Sequence, residues 1–232
     1  NISSYVYYYS SNVLALLITN KEKRINSKSY THFYKLLTWN KYLTTSTEQN
    51  QLLEKYLANY DYDLKKIGIV PFEGKKFNFI KKKKFKYLSL FEVTPFKQRR
   101  VIFHENPYWY YDYQNTKLFY DKLISYFSRN NEWIVLVKRK RLGDSKININ
   151  LNYPNVKLID PTVSAIEMIK KSELVISMPY STPSFFAREQ NIPSFFFDSS
   201  GLLEKKHINN QQIPLLSNHS QINQFLKNNK ID

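Results

Sequence analysis

The chain's 232 residues suffice for one large domain or two small ones, and 42% hydrophobic residues with 16% aromatics can build a sizeable core. That balance excludes an intrinsically disordered chain. The absence of cysteine excludes a disulfide framework, a thiolate zinc site and a cysteine nucleophile. The four histidines, His32, His104, His207 and His219, have no close ligand spacing, so no metal centre is expected. The net charge of +16 is spread along the chain, with 17 basic residues against 7 acidic up to Lys97 and 18 against 12 beyond. A diffuse lysine excess of this kind follows from an Asn-, Ile- and Tyr-rich composition, and no specific nucleic-acid partner is expected.

The chain opens on Asn1-Ile-Ser-Ser without Met, as a sequence that starts partway through a longer protein would. Tyr5–Tyr9 reads as an aromatic-rich strand. The apolar run Val13–Ile18 is far short of the roughly 20 residues a membrane span needs, and it lacks the flanks of a signal peptide. A helix is expected over Thr47–Ala58. The apolar run Ile67–Pro71 is punctuated by Gly68 and Pro71, and Glu73-Gly-Lys-Lys closes it as a turn. The tetralysine Lys81–Lys84 reads as a solvated loop or hairpin tip.

From Gln98 onward apolar strands alternate with amphipathic helices. Strands are expected at Val101–Phe103, Trp133–Val137, Val156–Ile159, Leu174–Ser177 and Ser194–Phe197. Helices are expected at Thr116–Arg129, Thr162–Lys171 and Pro183–Gln190. Continuous apolar strands joined by helices mean a parallel sheet buried on both faces. The fold class is therefore α/β, with a doubly wound, Rossmann-like domain over 98–232.

A parallel sheet binds ligands beyond the carboxyl ends of its strands, so the residues that follow each strand carry the chemistry. These are His104 and Glu105, the basic run Lys138–Arg141, Asp160-Pro161, and Met178–Pro183. Ser181 or Thr182 can cap a helix whose first turn holds Pro183, and such a helix start offers N–H donors to an anion. The neighbouring Lys138, Arg139 and Lys140 supply positive charge for a phosphate. Each has a plainer reading. Asp160-Pro161 also makes a simple turn, His104 can be a hydrogen-bonded strand-end residue, and Tyr108–Tyr113 can pack an interface instead of stacking on a ligand. The sequence holds no GxGxxG, no P-loop and no GxSxG elbow, which leaves nucleotide-sugar enzymes prominent among α/β functions.

Phe91-Glu-Val-Thr-Pro-Phe96, Ile176-Ser-Met-Pro-Tyr-Ser-Thr-Pro-Ser184 and Ala187-Arg-Glu-Gln-Asn-Ile-Pro-Ser-Phe-Phe-Phe-Asp198 resemble the bacterial polysaccharide-biosynthesis proteins with a PFTS motif. Here that motif stands as Pro179-Tyr-Ser-Thr182, with Tyr for Phe and the two hydroxyl residues exchanged. Trp39-Asn-Lys-Tyr and Ile67–Pro71 match more loosely. More distantly, the second half is similar to the donor domain of GT-B glycosyltransferases, a resemblance that implies a two-domain architecture in which 1–97 is the remainder of an incomplete N-terminal, acceptor-side α/β domain and 98–232 the nucleotide-sugar-binding domain. The resemblance implies a metal-independent transferase that takes a sugar from a nucleotide-sugar donor to a glycan or lipid-linked acceptor, with no cofactor. It would work in the cytoplasm, at or near the inner membrane face.

In that reading Lys138, Arg139, Lys140, Ser181, Thr182 and Ser184 hold the phosphates, and Asp160 sits beside the base or ribose. His104 and Glu105 lie at the cleft edge as the expected catalytic residues, in reach of sugar or phosphate. GT-B donor domains use a Glu for the ribose; Phe186 stands at that position here, and Glu189 is the nearest acid. Two other functions are expected alternatives: a nucleotide-sugar epimerase, and a non-catalytic basic protein that holds nucleic acid or an anionic membrane.

Overall fold

The computed structural model describes residues 4–8, 39–57, 61–69, 74–95, 110–140, 147–203 and 213–231. They form two parallel sheets. The first has the order β1 (Tyr5–Tyr7), β2 (Lys41–Thr44), β3 (Asp63–Lys66), with Tyr42 in register with Val6 and Leu64. Helix α1 (Thr47–Tyr56) joins β2 to β3. Its start is written in Ser46-Thr-Glu-Gln49: the Ser46 hydroxyl accepts the Gln49 N–H, and the Gln49 side chain reaches back to accept the Thr45 N–H at 2.7 Å.

The second sheet contains six strands, all parallel: β4 (Lys86–Phe91), β5 (Trp133–Lys138), β6 (Val156–Ile159), β7 (Leu174–Ser177), β8 (Ser194–Phe197) and β9 (Leu215–Leu216). Their spatial order is β6-β5-β4-β7-β8-β9. Counted from β4 this is the 3-2-1-4-5-6 order of a doubly wound Rossmann sheet. Helices α2 (Tyr113–Phe127), α3 (Ala165–Lys170), α4 (Thr182–Glu189) and α5 (His219–Asn228) cover it. Leu88 and Leu90 of β4 and Val135 and Val137 of β5 share one core with Phe119 and Leu123 of α2 and Ile222 of α5. Tyr87, Phe91, Ile134 and Leu136 share the other with Met168 of α3 and Phe186 of α4. Strands buried on both faces are apolar at nearly every position, which is why the central strands lack alternation.

The four later strands stand where the sequence put them, β5 one residue longer. The run Val101–Phe103 lies outside the described residues, and so does Arg141 of the basic run. The central strand β4 was not expected. It precedes the boundary drawn at 97 and 98, yet it is hydrogen-bonded between β5 and β7. Ser89, the one polar residue inside its apolar run, is matched by the Ser172 hydroxyl at 2.6 Å. Helix α3 begins at Ala165 rather than Thr162, because Asp160 folds Thr162 into a turn and Ser164 takes the cap. The tetralysine is a loop that leads into β4, with its turn at Lys83 and Lys84.

Candidate functional site

Strand order reverses between β4 and β7, so the crevice at their carboxyl ends is where this architecture places a ligand. Phe91 is in register with both Lys138 and Ser177, which brings the ends of β4, β5 and β7 level. The chain leaves β7 beside β4, with the Met178 N–H donating to the Phe91 carbonyl at 3.2 Å, and then turns sharply into α4. Tyr180 makes that turn in the left-handed region, with φ 57°. A non-glycine residue held there costs of order 1–3 kcal/mol, and such strain gathers at functional turns. It is held in place by burial of the Tyr180 ring against Phe196 and by the Tyr111 hydroxyl, which donates to the Pro179 carbonyl at 2.6 Å.

Ser181 caps α4 without accepting a hydrogen bond from its first turn. Its hydroxyl oxygen is buried and has no partner, the residue being 4% exposed. Across the crevice, the Thr94 hydroxyl is likewise buried and unpartnered. Both unpartnered hydroxyls lie on segments that follow the central strands β7 and β4, which makes this crevice the candidate site. The α4 start adds the positive end of a helix dipole.

The predicted cations divide. The Lys138 amine is buried and donates to the Pro161 carbonyl at 2.7 Å, on the β6 side and away from α4. Burial lowers its pKa, and Asp160 draws it partly back. Arg139 donates to the Ile147 carbonyl at 2.5 Å. Lys140 is exposed, and its N–H donates to Oε1 of Glu92 at 3.4 Å, directly beyond β4. Lys140 thus has its backbone tied to the residue that follows β4, with its side chain exposed. Ser184 turns its hydroxyl inward to Ser177 at 2.6 Å, so it clamps α4 onto β7 rather than facing a ligand. Asp160 is exposed and accepts both the N–H and the hydroxyl of Thr162 at 2.7 Å, bonds that hold its carboxyl below the usual range. Glu189 ends α4, at the edge of the sheet away from the crevice. His104 and Glu105 lie outside the described residues.

Sequence reasoning passed over Glu92. It is 6% exposed, on the face covered by α2. Burial raises its carboxyl above the ordinary carboxylate range, and the Lys140 N–H, the Tyr120 hydroxyl and the charges of Arg139 and Lys140 oppose that without reversing it. The signal was available: an acid that directly follows the apolar run Tyr87–Phe91 is a strand-end residue.

Comparison with known proteins agrees with this architecture. A family model described as "Polysaccharide biosynthesis PFTS motif protein" matches residues 1–226. No curated protein is significantly similar in sequence. Among solved structures, the spinosyn forosaminyltransferase SpnP is 13% identical with a TM-score of 0.50, covering 85% of this chain and 48% of its own. The wall teichoic acid polymerase TagF is 12% identical with a TM-score of 0.49, covering 88% of this chain and 51% of its own. The KpsC beta-Kdo 2,4 transferase of Thermosulfurimonas dismutans is 12% identical with a TM-score of 0.40, covering 82% and 51%. This chain spans about half the length of these structures.

Proposed function

The chain belongs to the PFTS-motif family of polysaccharide-biosynthesis proteins, and from that membership we propose that it is a glycosyltransferase acting on a nucleotide-activated sugar. One observation carries the reading. The residues that stand for the family's motif, Pro179-Tyr-Ser-Thr182, form the strained turn that heads α4 at the switch point, where the buried Ser181 hydroxyl lacks a partner. In this reading the donor's phosphate lies between the α4 start and Lys140. Helix N–H groups and the lysine charge stabilise the leaving phosphate as the glycosidic bond breaks. Arg139 and Lys138 shape the loop that carries Lys140. His104 and Glu105 contact the transferred sugar, and a general base deprotonates the acceptor hydroxyl. The acceptor is a glycan or lipid-linked glycan, and the work is done on the cytoplasmic side of the membrane. Among the described residues, no helix is long and apolar enough to cross a membrane.

Calorimetric titration with nucleoside diphosphates and cytidine monophosphate tests this. Lys140→Ala removes a charge-assisted contact worth about 1.5–3 kcal/mol, so affinity should fall roughly 10- to 150-fold. Ser181→Ala should weaken binding by a smaller factor, and Lys83→Ala should leave it unchanged. Absence of binding, or equal losses at Lys140 and Lys83, would overturn the assignment.

A further inference from the structure

The segment 74–86 gathers lysines into a single braced strip. Lys75 bridges to Val163, donating its N–H to the Thr162 carbonyl and accepting the Ser164 N–H, both at 2.9 Å. Phe77 and Phe79 stack with ring centroids 5.3 Å apart, and Phe79 meets Tyr87 edge-on at 5.0 Å. Lys171 donates to the Phe77 and Phe79 carbonyls, and the Lys157 amine lies 5.4 Å over the Phe79 ring. On the far side, Lys81 pairs with Glu173, and the Lys82 N–H donates to the Tyr87 hydroxyl at 3.0 Å. Between these two anchored stretches Ile80 projects into solvent, 87% exposed. Among the described residues, no carboxylate pairs with Lys82, Lys83 or Lys84.

A run of lysines alone is a solvated loop. An isoleucine held almost fully in water, on a backbone fixed at both sides, gains nothing from burial inside the monomer and is available to an apolar partner. Nucleic acid would take the lysines and leave Ile80 without a partner. The interface of an anionic bilayer accommodates both, with lipid phosphates against the lysines and acyl chains against the isoleucine.

We propose that the Ile80–Lys84 loop is a membrane-docking surface for anionic lipid. It leads into the amino end of β4, so it stands at the edge opposite the β4/β7 crevice, about 20 Å away over six residues of strand. Docking and nucleotide binding are therefore independent, and this proposal does not rest on the transferase reading.

Cosedimentation of the full chain with phosphatidylglycerol/phosphatidylcholine vesicles, against phosphatidylcholine alone, tests it. Three variants are compared: the Lys81–Lys84 residues all changed to Gln, Ile80→Asp, and a control with Lys65, Lys66, Lys227 and Lys230 changed to Gln. The control lies on exposed positions elsewhere and removes the same charge. Wild type should bind anionic vesicles and release from them with salt. The tetralysine variant should lose at least about tenfold in partitioning and Ile80→Asp a several-fold part of it, while the control stays close to wild type. Thermal melting of each variant checks that the fold is retained. Equal loss in the tetralysine variant and the control would show diffuse charge rather than a surface. So would an unchanged Ile80→Asp, or equal binding to uncharged vesicles, and any of these overturns the proposal.

Discussion

Glu92 shows how one carboxylate at a strand end takes on properties its sequence neighbours do not announce. It is surrounded by the Tyr120 hydroxyl and the Arg139 and Lys140 charges, yet burial outweighs them and its pKa is raised. A raised acid binds its proton more tightly when folded. It therefore favours folding most below the unfolded value, near 4.3, and that contribution is lost as pH rises through the folded value. Gln keeps the Oε1 acceptor for the Lys140 N–H and removes the titration. Glu92→Gln should match wild type in denaturant stability near pH 4 and gain on it as the pH is raised to 7. A difference that stays flat across that range would mean that Glu92 does not titrate in this way. The other site residues were legible to different degrees. Ser181 and Thr182 were recoverable from the Ser-Thr-Pro signature. Ser184 was not, because its spacing gives no sign that the hydroxyl is spent on Ser177. Lys138 was correctly placed at a strand end, but the side on which its amine lies is fixed by the Pro161 carbonyl, a residue 23 positions away.

At the scale of elements, local signals located those strands and helices whose pattern is self-contained. Strands β5 to β8 are short apolar runs between turn residues, and α2 carries its core face at Phe119, Leu123 and Phe127. Strand β4 is as apolar as these, but the lysine-rich stretch before it masks the run. Its central place is set by pairing with β5 and β7, which lie at least 40 residues on. Short β9 has only its pairing to β8 to define it. Helix α2 also separates two kinds of contribution. Asp112 caps it, accepting the Asn115 N–H at 2.6 Å, while Phe119 is wholly buried beneath it. A lost cap costs about 1 kcal/mol, whereas deleting a buried phenylalanine leaves a cavity worth about 3–5 kcal/mol. Urea unfolding of Asp112→Ala and Phe119→Ala should show the second several times more destabilised. Comparable losses would mean that α2 is held by its end rather than by its packing.

Across the whole molecule, the two sheets share one apolar core, since Tyr42 of β2 and Leu52 and Leu53 of α1 cluster with Leu88, Leu174 and Phe196 of the second sheet. One ion pair accompanies that core. Glu48, in the first turn of α1, receives Nη1 and Nη2 of Arg188, in the last turn of α4, at 2.5 and 3.3 Å. Each charge also complements the dipole of its own helix, an acid at an amino end and a cation at a carboxyl end. Burial pushes the Glu48 carboxyl up, but the Arg188 hydrogen bonds and charge outweigh it and hold the carboxyl below its usual range. Both side chains are largely buried, at 10% and 17% exposure, so removing one partner strands the other in a poor solvent. Glu48→Gln should therefore cost about 3 kcal/mol at pH 7, and lower the melting temperature by roughly 6–12 °C at this chain length. A double variant, Glu48→Gln with Arg188→Met, should recover part of the loss, because no charge is left unmatched. The sign with pH is fixed as well. A depressed acid contributes its stability above the unfolded value near 4.3 and loses it as pH falls through the folded value. The gap between wild type and Glu48→Gln should hold from pH 7 to about 5 and close below that, as followed by urea unfolding at each pH. A gap that persists unchanged at pH 2 would show that the contact between the sheets depends on the shape of Glu48 and not on its charge.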